Sequence, residues 1–224
     1  MLKPFKLFFP GKIICRFFIV SAIFIGIALF CQRTCMAQVK LNEVPLEALL
    51  ESDELSELSV GDPNAPVTIV EYMSMSCAAC AKFHKTTYQK LKKKYIDTGK
   101  VRFIIREFPL DNLAAAGAML ARCVNDNNKT LALISILLER QREWVSKQAL
   151  QVLRKISIQA GLSKDSFEKC LQDKILLGKL SRRREKADKE FGIDATPSFF
   201  INGKRLRSQT FILSEFEKVI DPLL

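Results

Sequence analysis

The sequence predicts an α/β chain whose sheet-forming segments are interrupted by an all-helical subdomain. Three observations carry that reading. Residues 67–73 and 101–108, rich in β-branched and aromatic side chains, flank a stretch of helical periodicity, the pattern of a βαβ unit. From Asn112 to about Phe191 no convincing strand occurs. The strand pattern then returns over residues 193–201, followed by Asn202-Gly203, a strong two-residue hairpin turn.

The first 37 residues differ from the rest. Lys3, Lys6, Lys12 and Arg16 precede Phe17 to Phe30, an uncharged apolar run of 14 residues. That run is short for a membrane span and suits a signal-peptide core, with Cys35-Met36-Ala37 as a small-x-small cleavage site. An uncleaved leader acting as an anchor, or a lipoprotein, are the alternatives. Of seven cysteines, Cys15, Cys31 and Cys35 leave with the leader, and Cys77, Cys80, Cys123 and Cys170 remain. An even number in an exported chain fits two disulfides. Cleavage also removes five of the positive charges behind the formal +11. What remains is spread out, with local clusters at residues 92–94 and 182–184. No aromatic platform accompanies either cluster, so both read as solvated helix faces and not as a nucleic-acid surface.

In order along the remainder, residues 38–60 form an N-terminal extension with a short helical pattern at Pro45 to Leu50 and an acidic stretch to Glu57. The turn cluster Gly61-Asp62-Pro63-Asn64-Ala65-Pro66 opens the compact fold. A strand at 67–73, a helix over 77–95 and a strand at 101–108 closed by Pro109 imply a parallel pair with a right-handed crossover. Helices follow at 114–124, 129–144, 146–160, 163–172 and 175–191. Ser163 after Gly161 is placed as an N-cap. Residues 203–206 pair with the last long strand, and 213–223 close the chain as a helix. The expected organisation is therefore leader 1–37, extension 38–60, sheet domain 61–110 plus 191–224, and helical insert 111–190.

The chemistry concentrates at Cys77-Ala78-Ala79-Cys80, directly after the first strand. Residues three apart share a helix face, so the two sulfurs can meet. At the helix start, unpaired backbone N–H groups and the macrodipole stabilise a Cys77 thiolate, the species that attacks disulfides. A zinc site is disfavoured: Cys123 and Cys170 lack paired spacing, and His84 is the one histidine. A static structural disulfide is the other bland reading. His84 lies seven residues after Cys77, about 10 Å down the axis, too far for direct proton transfer to that sulfur. Packing or a local hydrogen bond is its expected role, which also disfavours a Cys-His hydrolase. Cys123 and Cys170 are read as a structural disulfide of the insert, against two buried free thiols.

With these residues in place, the chain resembles the DsbA-like thiol–disulfide oxidoreductases, which have a thioredoxin fold with an inserted helical domain. The resemblance spans residues 61–224. It rests on Cys77-Ala78-Ala79-Cys80, the helical stretch and Ala195-Thr196-Pro197-Ser198-Phe199-Phe200, with Pro197 some 117 residues after Cys80. It implies that Cys77 is the exposed attacking cysteine and Cys80 the buried resolving one. It implies that Pro197 is a cis-proline facing them, with the Thr196 backbone presented to an extended substrate. Glu71, six residues before Cys77, falls where the family keeps a buried acid that relays the Cys80 proton, although an edge-strand acid facing water is the simpler reading. Thr196 is expected to tune substrate release and redox poise. The best-known members carry Pro-His between the cysteines. Ala78-Ala79 removes the histidine that supports the thiolate, which implies a higher Cys77 pKa and a less oxidising couple than the type member.

The expectation is a periplasmic, monomeric oxidase without organic cofactor or metal. It acts on exported polypeptides, is reoxidised by a quinone-linked membrane partner, and has no nucleic-acid role. A disulfide isomerase or reductase, and a non-catalytic peptide-binding holdase, are the competing readings.

Overall fold

The computed structural model describes residues 43–224, so the expected leader lies outside the described residues. Among the described residues no helix is long and apolar enough to cross a membrane. Five strands form one mixed sheet in the order β1-β3-β2-β4-β5. They are β1 (Leu58–Val60), β2 (Val67–Met73), β3 (Val101–Glu107), β4 (Ser198–Ile201) and β5 (Lys204–Arg205). β2 and β3 are parallel, with Val67 opposite Val101 and Met73 opposite Glu107, and every other pairing is antiparallel.

β2 is central, and all seven of its residues are buried. Strand alternation sends Ile69 and Met73 into the larger apolar cluster and Val70 and Tyr72 into a smaller one on the opposite face. Glu71, two residues from both Ile69 and Met73, shares their face and is fully buried; the water-facing reading is overturned because its strand has a neighbour on each side.

Before the sheet comes α1 (Leu46–Leu50). Between β2 and β3 runs α2, residues 78–96, which widens into π-helical turns at His84–Tyr88 and Lys92–Ile96. The insert comprises α3 (Asn112–Arg122), α4 (Asn127–Glu139), α5 (Gln141–Trp144), α6 (Ala149–Gln159), α7 (Lys164–Gln172) and α8 (Lys174–Phe191); α9 (Leu213–Ile220) follows the sheet. Side-chain caps set the starts: Asp111 accepts from the Ala114 N–H, Asp126 from Lys129 and Ser163 from Ser166. Gly192, in the left-handed region at φ 63°, ends α8.

Three expectations change. The single helix over 129–144 is two helices, because Arg140 leaves helical geometry and the Trp144 indole N–H takes the Leu137 carbonyl (2.7 Å). The strand expected over 193–201 is confined to β4, the preceding residues being a loop. The segment read as an extension supplies α1 and the edge strand β1, too short to show alternation. The Val44 N–H also bonds the Gly203 carbonyl (2.8 Å). A Cβ on Gly203 (φ 87°) would lie 2.4 Å from the Val44 carbonyl oxygen, so the hairpin glycine also admits the N-terminal segment.

A buried ion cluster ties that segment to the insert. Arg183 of α8 is 3% exposed, grips Asp53 through two 2.6 Å bonds and donates to Glu107, itself 1% exposed. Arg122 of α3 holds Glu107 from the other side (2.6 and 3.0 Å) and reaches the Ser56 carbonyl (2.6 Å). Burial opposes the charge on Glu107, but Arg122 and Arg183 outweigh it and hold the carboxyl below its ordinary value; Asp53 is lowered in the same way by Arg183. A lowered carboxylate stabilises the fold above its unfolded pKa, and that contribution is lost as pH falls below about 4 through the folded value.

Within the insert, Cys123 and Cys170 are disulfide-bonded, with Cα atoms 6.1 Å apart and a sequence separation of 47.

Two stability outcomes follow, both read by denaturant titration. Arg183→Met leaves buried Glu107 and half-buried Asp53 short of a partner and is expected to cost about 3 kcal/mol at neutral pH, with a smaller deficit below pH ~4. An equal deficit at both pH values would contradict the linkage. Replacing Cys123 and Cys170 together by Ala is expected to cost about 2–4 kcal/mol.

Candidate functional site

The site forms where β2 runs out. After Met73 the chain turns through Ser74 to Ser76, and Cys77 takes the N-cap position of α2 in extended geometry (φ −75°, ψ 118°). Ser76 Oγ donates to Asp111 (2.7 Å), the cap of α3, and so fastens the turn to the insert. Gln141 of α5 does more: its amide donates to the carbonyls of Met75 (2.8 Å) and Cys77 (3.0 Å). Gln141 is a supporting residue that the sequence reading missed. Its one signal, a polar residue that stays buried, depends on the break at Arg140.

Cys77 is half-buried, Cys80 fully buried, and Ala78 and Ala79 are exposed between them. Facing the pair is the loop before β4, where the Thr196–Pro197 bond is cis. The Cys77 thiol donates to the Thr196 carbonyl at 3.1 Å. The Thr196 hydroxyl is buried with no hydrogen-bond partner among the described residues. Arg205 of β5 braces this loop through the Gly192 carbonyl (2.8 Å) and Ser198 Oγ (3.2 Å).

The environment drives the two sulfurs apart. Once ionised, Cys77 accepts from the Cys80 thiol, the largest influence. Burial opposes this, but Thr196 and the backbone N–H groups of Cys80 and Ala79 add to it, and the pKa is pulled down to about 5. Cys80 moves the other way: burial, its donation to Cys77 and the negative charge of Glu71 push it well above the ordinary thiol value. Glu71 sits beneath, its Oε2 2.8 Å from Nε2 of His84, which is 5% exposed. The sequence reading kept His84 away from Cys77; the fold gives it Glu71 instead. Of the other singled-out residues, Cys123 and Cys170 lie apart in the insert.

A dithiol at a helix start, facing a cis-proline loop on a mixed sheet, has the layout of a thioredoxin-type site. A family model described as thioredoxin matches residues 53–222. A Rickettsia prowazekii chain named as a protein-disulfide oxidoreductase is 33% identical over 184 residues, which is 80% of this chain and 65% of that one. The chain spans just under two thirds of the length of these rickettsial relatives. A disulfide bond formation protein D of Bacillus cereus is 28% identical over 66% of this chain and 71% of its own. Among solved structures, Wolbachia pipientis alpha-DsbA1 superimposes with a TM-score of 0.72 at 31% identity, covering 79% of this chain and 95% of that one. BdbD of Bacillus subtilis shares the fold (TM-score 0.66, 18% identity, 77% and 98% coverage). The chain belongs to the DsbA-like thiol–disulfide oxidoreductase family.

The thiolate absorbance of Cys77 is expected to titrate with a midpoint near pH 5. In Cys80→Ala the midpoint rises toward the ordinary thiol value, about 8.5, since the largest stabilising donor is gone. An unchanged midpoint in that variant would show that the helix start alone sets the acidity.

Proposed function

We propose that this chain is an exported protein thiol–disulfide oxidase whose Cys77–Cys80 pair introduces disulfides into polypeptides outside the cytoplasm. The observation that carries the reading is the opposed displacement of the two thiols beside the Thr196–Pro197 loop. In the oxidised enzyme a substrate thiolate attacks the sulfur of Cys77. A bond forms between the substrate sulfur and Cys77, the Cys77–Cys80 bond breaks, and its electron pair leaves on Cys80, which takes a proton. A second substrate thiolate then attacks the substrate sulfur of the mixed disulfide. The substrate departs oxidised and Cys77 leaves as a thiolate, a good leaving group because of its low pKa. The acidity that makes Cys77 leave easily also stabilises the reduced enzyme, and so draws electrons toward it.

Supporting groups have matching roles. The Thr196 backbone beside Cys77 offers a hydrogen-bonding edge to an extended peptide. Leu110, 45% exposed, has its N–H on Ser74 Oγ (3.3 Å) and so places apolar surface next to the turn that carries Cys77. Glu71 exchanges the Cys80 proton. The reduced enzyme requires an oxidant for each turnover, and the family reading assigns this to a quinone-linked membrane partner. The leader expected over residues 1–37 supports a periplasmic location.

The test is the reduction potential, measured on one preparation alongside oxidation of a reduced unfolded protein, refolding of a scrambled one, and insulin reduction. Expected are stoichiometric oxidation of the reduced substrate, loss of activity in Cys77→Ser, and a potential more negative than about −120 mV, the DsbA value, because Ala78-Ala79 lacks the histidine. Faster refolding of the scrambled substrate than oxidation of the reduced one would favour an isomerase. Retention of peptide-protecting function in Cys77→Ser would favour a holdase.

A further inference from the structure

The single histidine of the chain is buried in the core, and the redox exchange described above leaves it without a task. Its position is specific. It opens the first π-helical turn of α2, four residues past Cys80, and its ring packs against Phe83 (5.3 Å between centroids) and Tyr88 (4.9 Å). Nε2 meets Glu71 Oε2 at 2.8 Å, while Glu71 Oε1 is buried without a partner among the described residues. Flanking Glu71 across the sheet are Ile105 of β3 and Phe199 of β4, which carry no charge. The remaining titratable groups whose electrostatics couple to it are Cys80 and Tyr88, both on α2. Burial, reinforced by the charge of Glu71, pushes the Tyr88 phenol up, so it stays neutral.

We propose that His84 is a positioning residue for proton transfer at Cys80: it holds one carboxylate oxygen of Glu71 and so leaves the other oxygen free as the proton acceptor. The inference rests on the dithiol reading above. A buried carboxylate is costly unless a hydrogen-bond donor meets it, and its orientation is set by that donor. Among the described residues the imidazole at Oε2 is the one hydrogen-bond partner of this carboxyl, and the proposed role takes Nε2–H as the donor. When a mixed disulfide on Cys77 closes, the S–H bond of Cys80 breaks and an O–H bond forms on Glu71 Oε1. The Cys80 sulfur attacks Cys77, the Cys77–Cys80 bond forms, and the displaced thiolate leaves with the electron pair of the broken bond. In the opposite direction the same proton returns to Cys80 as it leaves.

The experiment uses the full chain carrying glutathione on Cys77 and follows glutathione release as Cys80 closes the disulfide, across pH. His84→Phe keeps an aromatic ring against Phe83 and Tyr88 but removes the N–H. It is expected to slow closure about 10- to 100-fold at neutral pH and to displace the pH profile, while the Cys77 alkylation profile stays in place. His84→Gln, whose amide carries an N–H near the position of Nε2, restores most of the rate. In a Glu71→Gln background, His84→Phe adds less than about twofold, since the two residues act as one unit. Should His84→Phe fail to fold, His84→Asn, whose shorter amide falls short of Oε2, replaces it. An unaltered closure profile in the variant overturns the proposal, as does equal slowing in the Glu71→Gln background. Because glutathione replaces the polypeptide, a protein that closes normally yet oxidises no polypeptide would sink the oxidase reading and leave this one standing.

Discussion

The site depends on how firmly α2 is pinned across the sheet, and Phe83 is the pin. Its ring lies 4.6 Å from Phe199 of β4, 5.5 Å from Phe216 of α9 and 6.4 Å from Phe103 of β3, and Phe199 and Phe216 meet edge to face at 5.0 Å. These rings come from four elements and are all buried. Aromatic packing of this kind is directional as well as apolar, so it fixes the rotation of the helix as well as its depth. Phe83 is one helical turn past Cys80 and adjacent to His84. Rotating the helix would carry Cys80 and His84 away from Glu71 together.

With the helix so held, reactivity follows a gradient of burial along two turns. Ala78 and Ala79 are in solvent, Cys77 is half-covered, and Cys80 and His84 are both buried, His84 against Glu71. Each step inward makes charge more expensive and a hydrogen-bond donor more valuable. One thiol becomes acidic through the donors around its anion, and the other is pushed up by burial, by its donation to Cys77 and by the charge of Glu71. The same side chain thus behaves in two ways within one turn of helix.

The sequence makes legible whatever is local. The β-branched run of β2, the Cys-x-x-Cys spacing, the Asn202-Gly203 turn and the capped helices of the insert each signal through neighbouring residues. The central position of β2 was not legible, because strand order is set by contacts far apart in sequence. The acid Glu71 consequently looked like a candidate for water. The Glu71–His84 pair was hidden for the same reason: it joins a strand to a helix 13 residues on. Gln141 was hidden because residues 129–144 read as one helix, and only the bend at Arg140 turns its amide toward Met75 and Cys77. The Arg183 cluster lay in a basic run that read as surface. Acidic partners 76 and 130 positions away turn it inward.

The grip of Gln141 on the Cys77 turn has a consequence in time. The chain is made from its N-terminus, so Cys77 and Cys80 exist 64 residues before Gln141 and over a hundred before Thr196. Until those segments arrive, the turn has no clamp and the thiol has no facing loop. The full environment of Cys77 is therefore a property of the finished molecule. Of the described cysteines, Cys123 and Cys170 also precede Thr196, so all four thiols are made before the loop that faces Cys77.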